Sequence, residues 1–145
     1  MRRTTNGNAD VATDLAARGV RATRQRVAVL EQLRRAGTHP TAAQLYRALV
    51  RGQPNLSLKT VYDALEALVG VGLARCVTDG GAPYRYEART EPHYHAQCRV
   101  CGALQDVPAK ADGHIRGRTP LPEGFEIEQI RVTLVGRCPR CRDEI

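Results

Sequence analysis

Nine residues, His93-Tyr94-His95-Ala96-Gln97-Cys98-Arg99-Val100-Cys101, hold two kinds of metal-ligating chemistry. Cys98 and Cys101 form a C-x-x-C knuckle, whose two-residue gap turns both sulfurs inward onto one ion while the amides of the turn donate to the thiolates. A second knuckle, Cys138-Pro139-Arg140-Cys141, follows after 36 residues. Four thiolates make the full tetrahedral shell of a structural Zn(II) site, and two such pairs favour zinc over a disulfide or a redox dithiol. His93 and His95 are one residue apart, so on an extended strand both imidazoles leave the same face. They stand beside the zinc knuckle without being needed by it.

The elements that must position these groups fit a chain of 145 residues, which can hold one ordinary domain or two small ones. A small second domain needs a staple, and the four cysteines supply one. The sequence has neither a continuous apolar run of about eighteen residues nor a basic-apolar-small leader, so the expectation is a cytoplasmic protein with reduced thiols and no membrane segment. Residues 1–75 carry 12 Lys and Arg against 5 Asp and Glu, whereas residues 76–145 carry 10 against 10. All of the net +7 therefore lies in the first half. A basic half joined to a neutral, metal-stapled half suggests a polyanion-binding module with a regulatory or assembly module attached.

In chain order, residues 1–8 read as a polar arm. Helical spacing of Val11, Ala12, Leu15 and Ala16 predicts a first helix over Ala9–Arg18, stopped by Gly19. Thr23 caps a second, with Val27, Leu30 and Leu33 on its inner face and Gly37 at its end. Thr41 and Gln44 have capping-box spacing for a third, whose stripe is Ala42, Leu45, Tyr46 and Leu49. After the Gly52–Asn55 turn, Ser57 caps a fourth helix with Val61, Leu65 and Leu68 inward. Helix, short turn and capped helix form a helix-turn-helix, and Ser57, Lys59, Thr60 and Tyr62 are the types that reach phosphates and base edges in a major groove. Arg21 and Arg24 are candidates for phosphate. The strand-like runs Leu73–Val77 and Tyr84–Ala88 around a Gly-rich turn then read as a wing, in which Cys76 is a small buried apolar residue. Residues 89–92 read as a linker. Beyond it, strands are expected at Tyr94–Gln97 and Ala103–Val107, a weak helix at Ala109–Gly117, and a long strand from Phe125 to Val135. A three-stranded sheet of this size exposes its edges and is expected to pair with a second copy. The fold class is α+β: a winged helix-turn-helix domain over 1–88, then a small zinc-stapled α/β dimerisation domain over 93–145.

The run Thr60-Val61-Tyr62-Asp63-Ala64-Leu65, the approach Thr38-His39-Pro40-Thr41-Ala42, the stretch His93-x-His95-x-x-Cys98-x-x-Cys101-Gly102 and the closing Cys138-x-x-Cys141 together resemble the Fur family of metal-dependent repressors, from about residue 12 to Cys141. That resemblance implies a homodimer binding an inverted-repeat DNA operator, structural zinc on the four cysteines and a regulatory metal where the two domains join. Carried over position by position, the regulatory ligands are His39, Glu87, His93, His95 and Asp106. Three imidazoles and two carboxylates suit Fe(II) or Mn(II). His39 and Glu87 come from the DNA-binding half and the other three from beyond it, so a bound ion would lock the relative orientation of the halves.

Glu87 stands where zinc-uptake repressors of the family place cysteine, which argues against that branch. Asp106 and the Arg85-Tyr86-Glu87 segment resemble the actinobacterial FurA-type and peroxide-sensing branch, with control of iron or manganese uptake as the alternative. The mechanism the resemblance implies is oxidation of His39 or His93 when peroxide meets bound Fe(II), while Mn(II) resists. Two enzyme readings remain beside this one. A C-x-x-C redox enzyme would need a thioredoxin-like βαβ setting that neither knuckle has, and a metallohydrolase on His93 and His95 would need a positioned base that the sequence does not identify. The chain is therefore read as a regulator rather than an enzyme.

Overall fold

A computed structural model describes residues 7–78, 83–88, 93–109, 117, 120–128 and 130–143. The chain divides into two compact units, Met1–Thr90 and Glu91–Ile145. The expected linker at 89–92, the first six residues of the polar arm, the tip of the wing at 79–82 and most of the expected helix at 109–117 lie outside the described residues.

The first unit contains α1 (Gly7–Ala17), α2 (Arg24–Ala36), α3 (Ala42–Leu49), α4 (Leu58–Gly70) and an antiparallel hairpin of β1 (Arg75–Cys76) and β2 (Tyr86–Glu87). Each helix start from α2 onward is fixed locally. Thr23 accepts from the Arg26 amide, Thr41 and Gln44 complete both arms of a capping box, and Ser57 accepts from the Thr60 amide. Helix α2 ends on Gly37 at φ 58°, a left-handed conformation that a side chain would strain.

Their apolar faces meet in one core of Val11, Leu15, Val29, Leu30, Leu33, Leu45, Val61, Leu65 and Leu68 with smaller neighbours. Burying each leucine stabilises by roughly 1.5–3 kcal/mol. Val29 takes the buried place expected of Val27, which is only partly covered, and Tyr46 and Leu49 of α3 are likewise half-buried at the core margin. The wing strands are shorter than expected because Leu73 and Ala74 turn into the core, their amides donating to the Leu68 carbonyl at the end of α4. Cys76 is half-buried rather than buried, its sulfur 3.7 Å from Thr78 Oγ1.

The second unit holds β3 (His93–Cys98), β4 (Leu104–Pro108), β5 (Thr133–Gly136) and one turn of helix, α5 (Pro139–Arg142). Strand order is β4-β3-β5, with β4 antiparallel and β5 parallel to β3. The long strand expected from Phe125 is corrected: only Thr133–Gly136 pairs, and Phe125 is 60% exposed. The reason is register. Thr133 lies opposite His95, so residue 131 falls opposite His93, and the residues before it lie beyond the described extent of β3. Among the described residues, no helix is long and apolar enough to cross a membrane.

Candidate metal centres and nucleic-acid interface

The four cysteines are gathered by the ends of two parallel strands. Cys98 closes β3 opposite Gly136 of β5, and the Arg99 amide donates to the Gly136 carbonyl across them. After Cys98 the chain reverses through Gly102 at φ 76°, the Gly102 amide returning to the Cys98 carbonyl at 2.9 Å. After Gly136 it runs to Cys138, the N-cap of α5, where Pro139 starts the turn that carries Cys141. Both knuckles thus leave one end of the sheet.

All four sulfurs lie within 4.8 Å of one another, and Cys101 Sγ is 3.7 Å from Cys138 Sγ. A tetrahedron with Zn–S of about 2.3 Å has edges of about 3.8 Å. A disulfide needs about 2.05 Å, and all four thiols are free. The donors fit a zinc ion. Their acidities diverge: amides of Cys101 and Cys138 donating to Cys98 pull its thiol down to about 6. Hydrogen bonding with the Cys138 side chain, followed by burial, pushes Cys141 up to about 12.

On β3, side chains alternate faces, so His93 and His95 leave the sheet opposite to Cys98. Both are buried, and their Nε2 atoms are 3.1 Å apart with the rings edge to face. The antiparallel register places Asp106 of β4 directly across from His95. Its Oδ1 lies 3.6 Å from His93 Nε2 and 3.5 Å from His95 Nε2. The circle through these three donor atoms has a radius of about 2.0 Å, close to the metal–ligand distance of a first-row ion. Two imidazoles and one carboxylate are donor types found in non-haem Fe(II) sites, where three protein ligands leave positions for others.

In the first unit, His39 and Glu87 form a second pair. His39 sits in the turn before the α3 cap, Glu87 on β2, and His39 Nε2 is 3.3 Å from Glu87 Oε2. The hairpin holds the turn in place: the Tyr86 amide donates to the Pro40 carbonyl at 2.9 Å, Arg85 Nη1 donates to the His39 carbonyl at 3.0 Å, and Thr41 bridges Arg85. Burial raises the pKa of the Tyr86 phenol, which packs against the core of the first unit. Sequence reasoning passed over Arg75. It faces Glu87 across the hairpin, Nε to Oε1 at 3.8 Å, a pairing that becomes readable only once the hairpin register is known.

The residues expected to meet DNA divide in two. Arg21 and Arg24 are exposed at the start of α2, and Lys59 and Tyr62 project from α4. Ser57 and Thr60 also form the cap of α4, their hydroxyls 2.8 Å apart. Lys59, with 84% of its side chain exposed, pairs with Asp63 one turn on at 2.9 Å, and that contact raises the pKa of its ammonium. Asp63 was also missed, although its i,i+4 spacing from Lys59 signals the pair.

The sequence model of the ferric uptake regulator family matches residues 17–135. The peroxide-responsive repressor PerR of Staphylococcus aureus is 33% identical over 126 residues, covering 87% of this chain and 85% of that protein. Among solved structures, the Helicobacter pylori ferric uptake regulator Fur superposes with a TM-score of 0.76 at 20% identity, over 99% of this chain and 98% of that one. The ferric uptake regulator of Pseudomonas aeruginosa, solved with manganese, gives 0.71 at 25% identity over 88% and 96%.

Proposed function

The chain belongs to the ferric uptake regulator family, and from that premise we propose that it is a metal-dependent DNA-binding repressor that responds to peroxide. The observation that carries this reading is the triangle of His93, His95 and Asp106, which offers hard donors to an iron or manganese ion and leaves part of its shell open. The peroxide response is supported by the 33% identity to a protein with that function.

In this proposal the first unit, through residue 88, is the DNA-binding domain, residues 89–92 are the linker and residues 93–145 form the dimerisation and sensing domain. Cys98, Cys101, Cys138 and Cys141 hold structural Zn(II). The regulatory ligands are His39, Glu87, His93, His95 and Asp106. Arg21, Arg24, Ser57, Lys59, Thr60 and Tyr62 meet an inverted-repeat duplex, Ser57 and Thr60 also fixing the start of α4. Strand β5, an outer strand of the sheet with Leu134 and Val135 exposed at 53% and 66%, is the part that a second copy covers. The protein acts in the cytoplasm, where its thiols stay reduced, and not as an enzyme.

The imidazole of His39 or of His93 is the group whose modification ends repression. When bound, iron supplies the one-electron chemistry that turns peroxide into an oxidant, which manganese in the same ligands does not. An oxidised imidazole is a poorer donor, so its ligand set loosens and the DNA-binding form loses its bias. The alternative, control of metal uptake, uses the same ligands without oxidation. Anaerobic DNA binding with Fe(II) and with Mn(II), before and after a brief peroxide pulse, tests the proposal. Release of the Fe(II) form alone is expected. DNA binding that follows only iron concentration would assign the protein to metal-uptake control.

A further inference from the structure

We infer that Arg75 is the built-in counter-ion of Glu87, holding that carboxylate when no regulatory metal is bound and so setting how much metal is needed to displace it. The inference rests on the reading of Glu87 as a regulatory ligand. Glu87 is 4% exposed, and a carboxylate that buried stays ionised only beside a compensating charge. Among the groups that face it, His39 Nε2 lies 3.3 Å from Oε2 and Arg75 Nε forms an ion pair with Oε1 at 3.8 Å. A guanidinium is charged at every pH the protein meets, so Arg75 brings a permanent positive charge to this carboxylate.

Its placement is built into the backbone, because Arg75 and Glu87 are direct partners in the β1–β2 register. One strand position before Tyr86, Arg85 is committed elsewhere, donating to the His39 carbonyl. The hairpin thus presents one arginine that fixes a candidate ligand and another that competes for one. A cation 3.8 Å from the carboxylate repels a dication bound to the same group, so Arg75 weakens the metal that Glu87 helps to hold. The side chain of Arg75 is 25% exposed, and solvent screens part of that repulsion.

The test uses the full, zinc-containing chain and Mn(II) as the probe, with free Mn(II) followed by electron paramagnetic resonance. R75Q is expected to bind Mn(II) about tenfold more tightly than the wild type, the order expected for removing one partly screened charge. R75K retains the charge and is expected to stay within about threefold of the wild type. In the absence of Mn(II), R75Q should melt below the wild type, and saturating Mn(II) should close the gap. Unchanged or weaker Mn(II) binding by R75Q overturns the inference, as does equal tightening in R75K, since charge would then be irrelevant. R75M serves the same comparison if R75Q does not fold. The reading of Glu87 as a ligand is checked separately by E87Q: if E87Q binds Mn(II) as tightly as the wild type, that reading fails whatever Arg75 does, and the inference falls with it.

Discussion

Replacing Asp106 with glutamate is the sharpest perturbation of the proposed sensor, because the donor triangle leaves so little slack. Its three sides are 3.1, 3.5 and 3.6 Å, so an ion held equally by all three atoms would stand at least about 2.0 Å from each. One added methylene lengthens the side chain by about 1.3 Å, a large fraction of that radius. The longer carboxylate must therefore fold back to ligate or crowd the open side of the ion, where a small oxidant has to approach. Because both carboxylates are hard monoanionic donors, the Mn(II) affinity of D106E should stay within roughly tenfold of the wild type. Oxidation, which needs the open side, should slow by more than about tenfold. The assay is mass spectrometry of the Fe(II)-loaded protein after anaerobic preparation and a short peroxide pulse, counting one added oxygen atom on the peptides holding His39 and His93. If D106E keeps its metal and oxidises as fast as the wild type, the argument from crowding is wrong. If the wild-type peptides themselves stay unmodified while peroxide is consumed, so is the peroxide reading.

Cys98→Ser should strip the second unit of its zinc, unfold it and leave the protein monomeric, because a three-stranded sheet this small has little core of its own; zinc content with analytical ultracentrifugation checks it. Zinc affinity measured against a competing chelator should fall more steeply with acid below about pH 6, where Cys98 begins to protonate. The sign follows from its folded pKa lying below the unfolded 9.0: the stability its thiolate lends the cluster is full above about pH 9 and is lost as pH falls through about 6. Lys59→Ala should weaken operator binding about tenfold or more if Lys59 reads a base. If it meets only phosphate, the change should be smaller and should lower the salt dependence by about one ion. Asp63→Asn, which frees Lys59 from its partner, should strengthen binding to non-specific duplex, and fluorescence anisotropy across a salt series reads both.

What could be read from the sequence follows the range of each interaction. Thr23, Thr41 and Ser57 declared their helices because a cap is decided within four residues, and all three bonds are present. The core face of α4 followed from period alone, that of α3 only through Ala42 and Leu45, and the cysteine spacing announced the gathering of four sulfurs. Features set by strand register were not legible. Asp106 meets the histidines because β4 pairs with β3 so that residue 106 opposes residue 95, and only family resemblance pointed to it. Arg75 escaped notice for the same reason, since its partner is chosen by a hairpin register. The alternation from Phe125 to Val135 suggested a long strand, but a strand extends only as far as its neighbour does, and β3 begins at His93.

The parallel pairing of β5 with β3 has a consequence for the order of events in folding. Strands β3 and β4 are joined by a short turn and can zip quickly, whereas β5 must return across more than thirty residues to lie beside β3. Closing that loop costs conformational entropy before any contact rewards it, and the sulfur cluster sits just beyond the seam, like a buckle at the end of a strap. Opening the buckle would let β5 peel away from the strand that carries His93 and His95. Amide hydrogen exchange at His95 and Arg99, which donate across the seam to Val132 and Gly136, should therefore report on zinc occupancy.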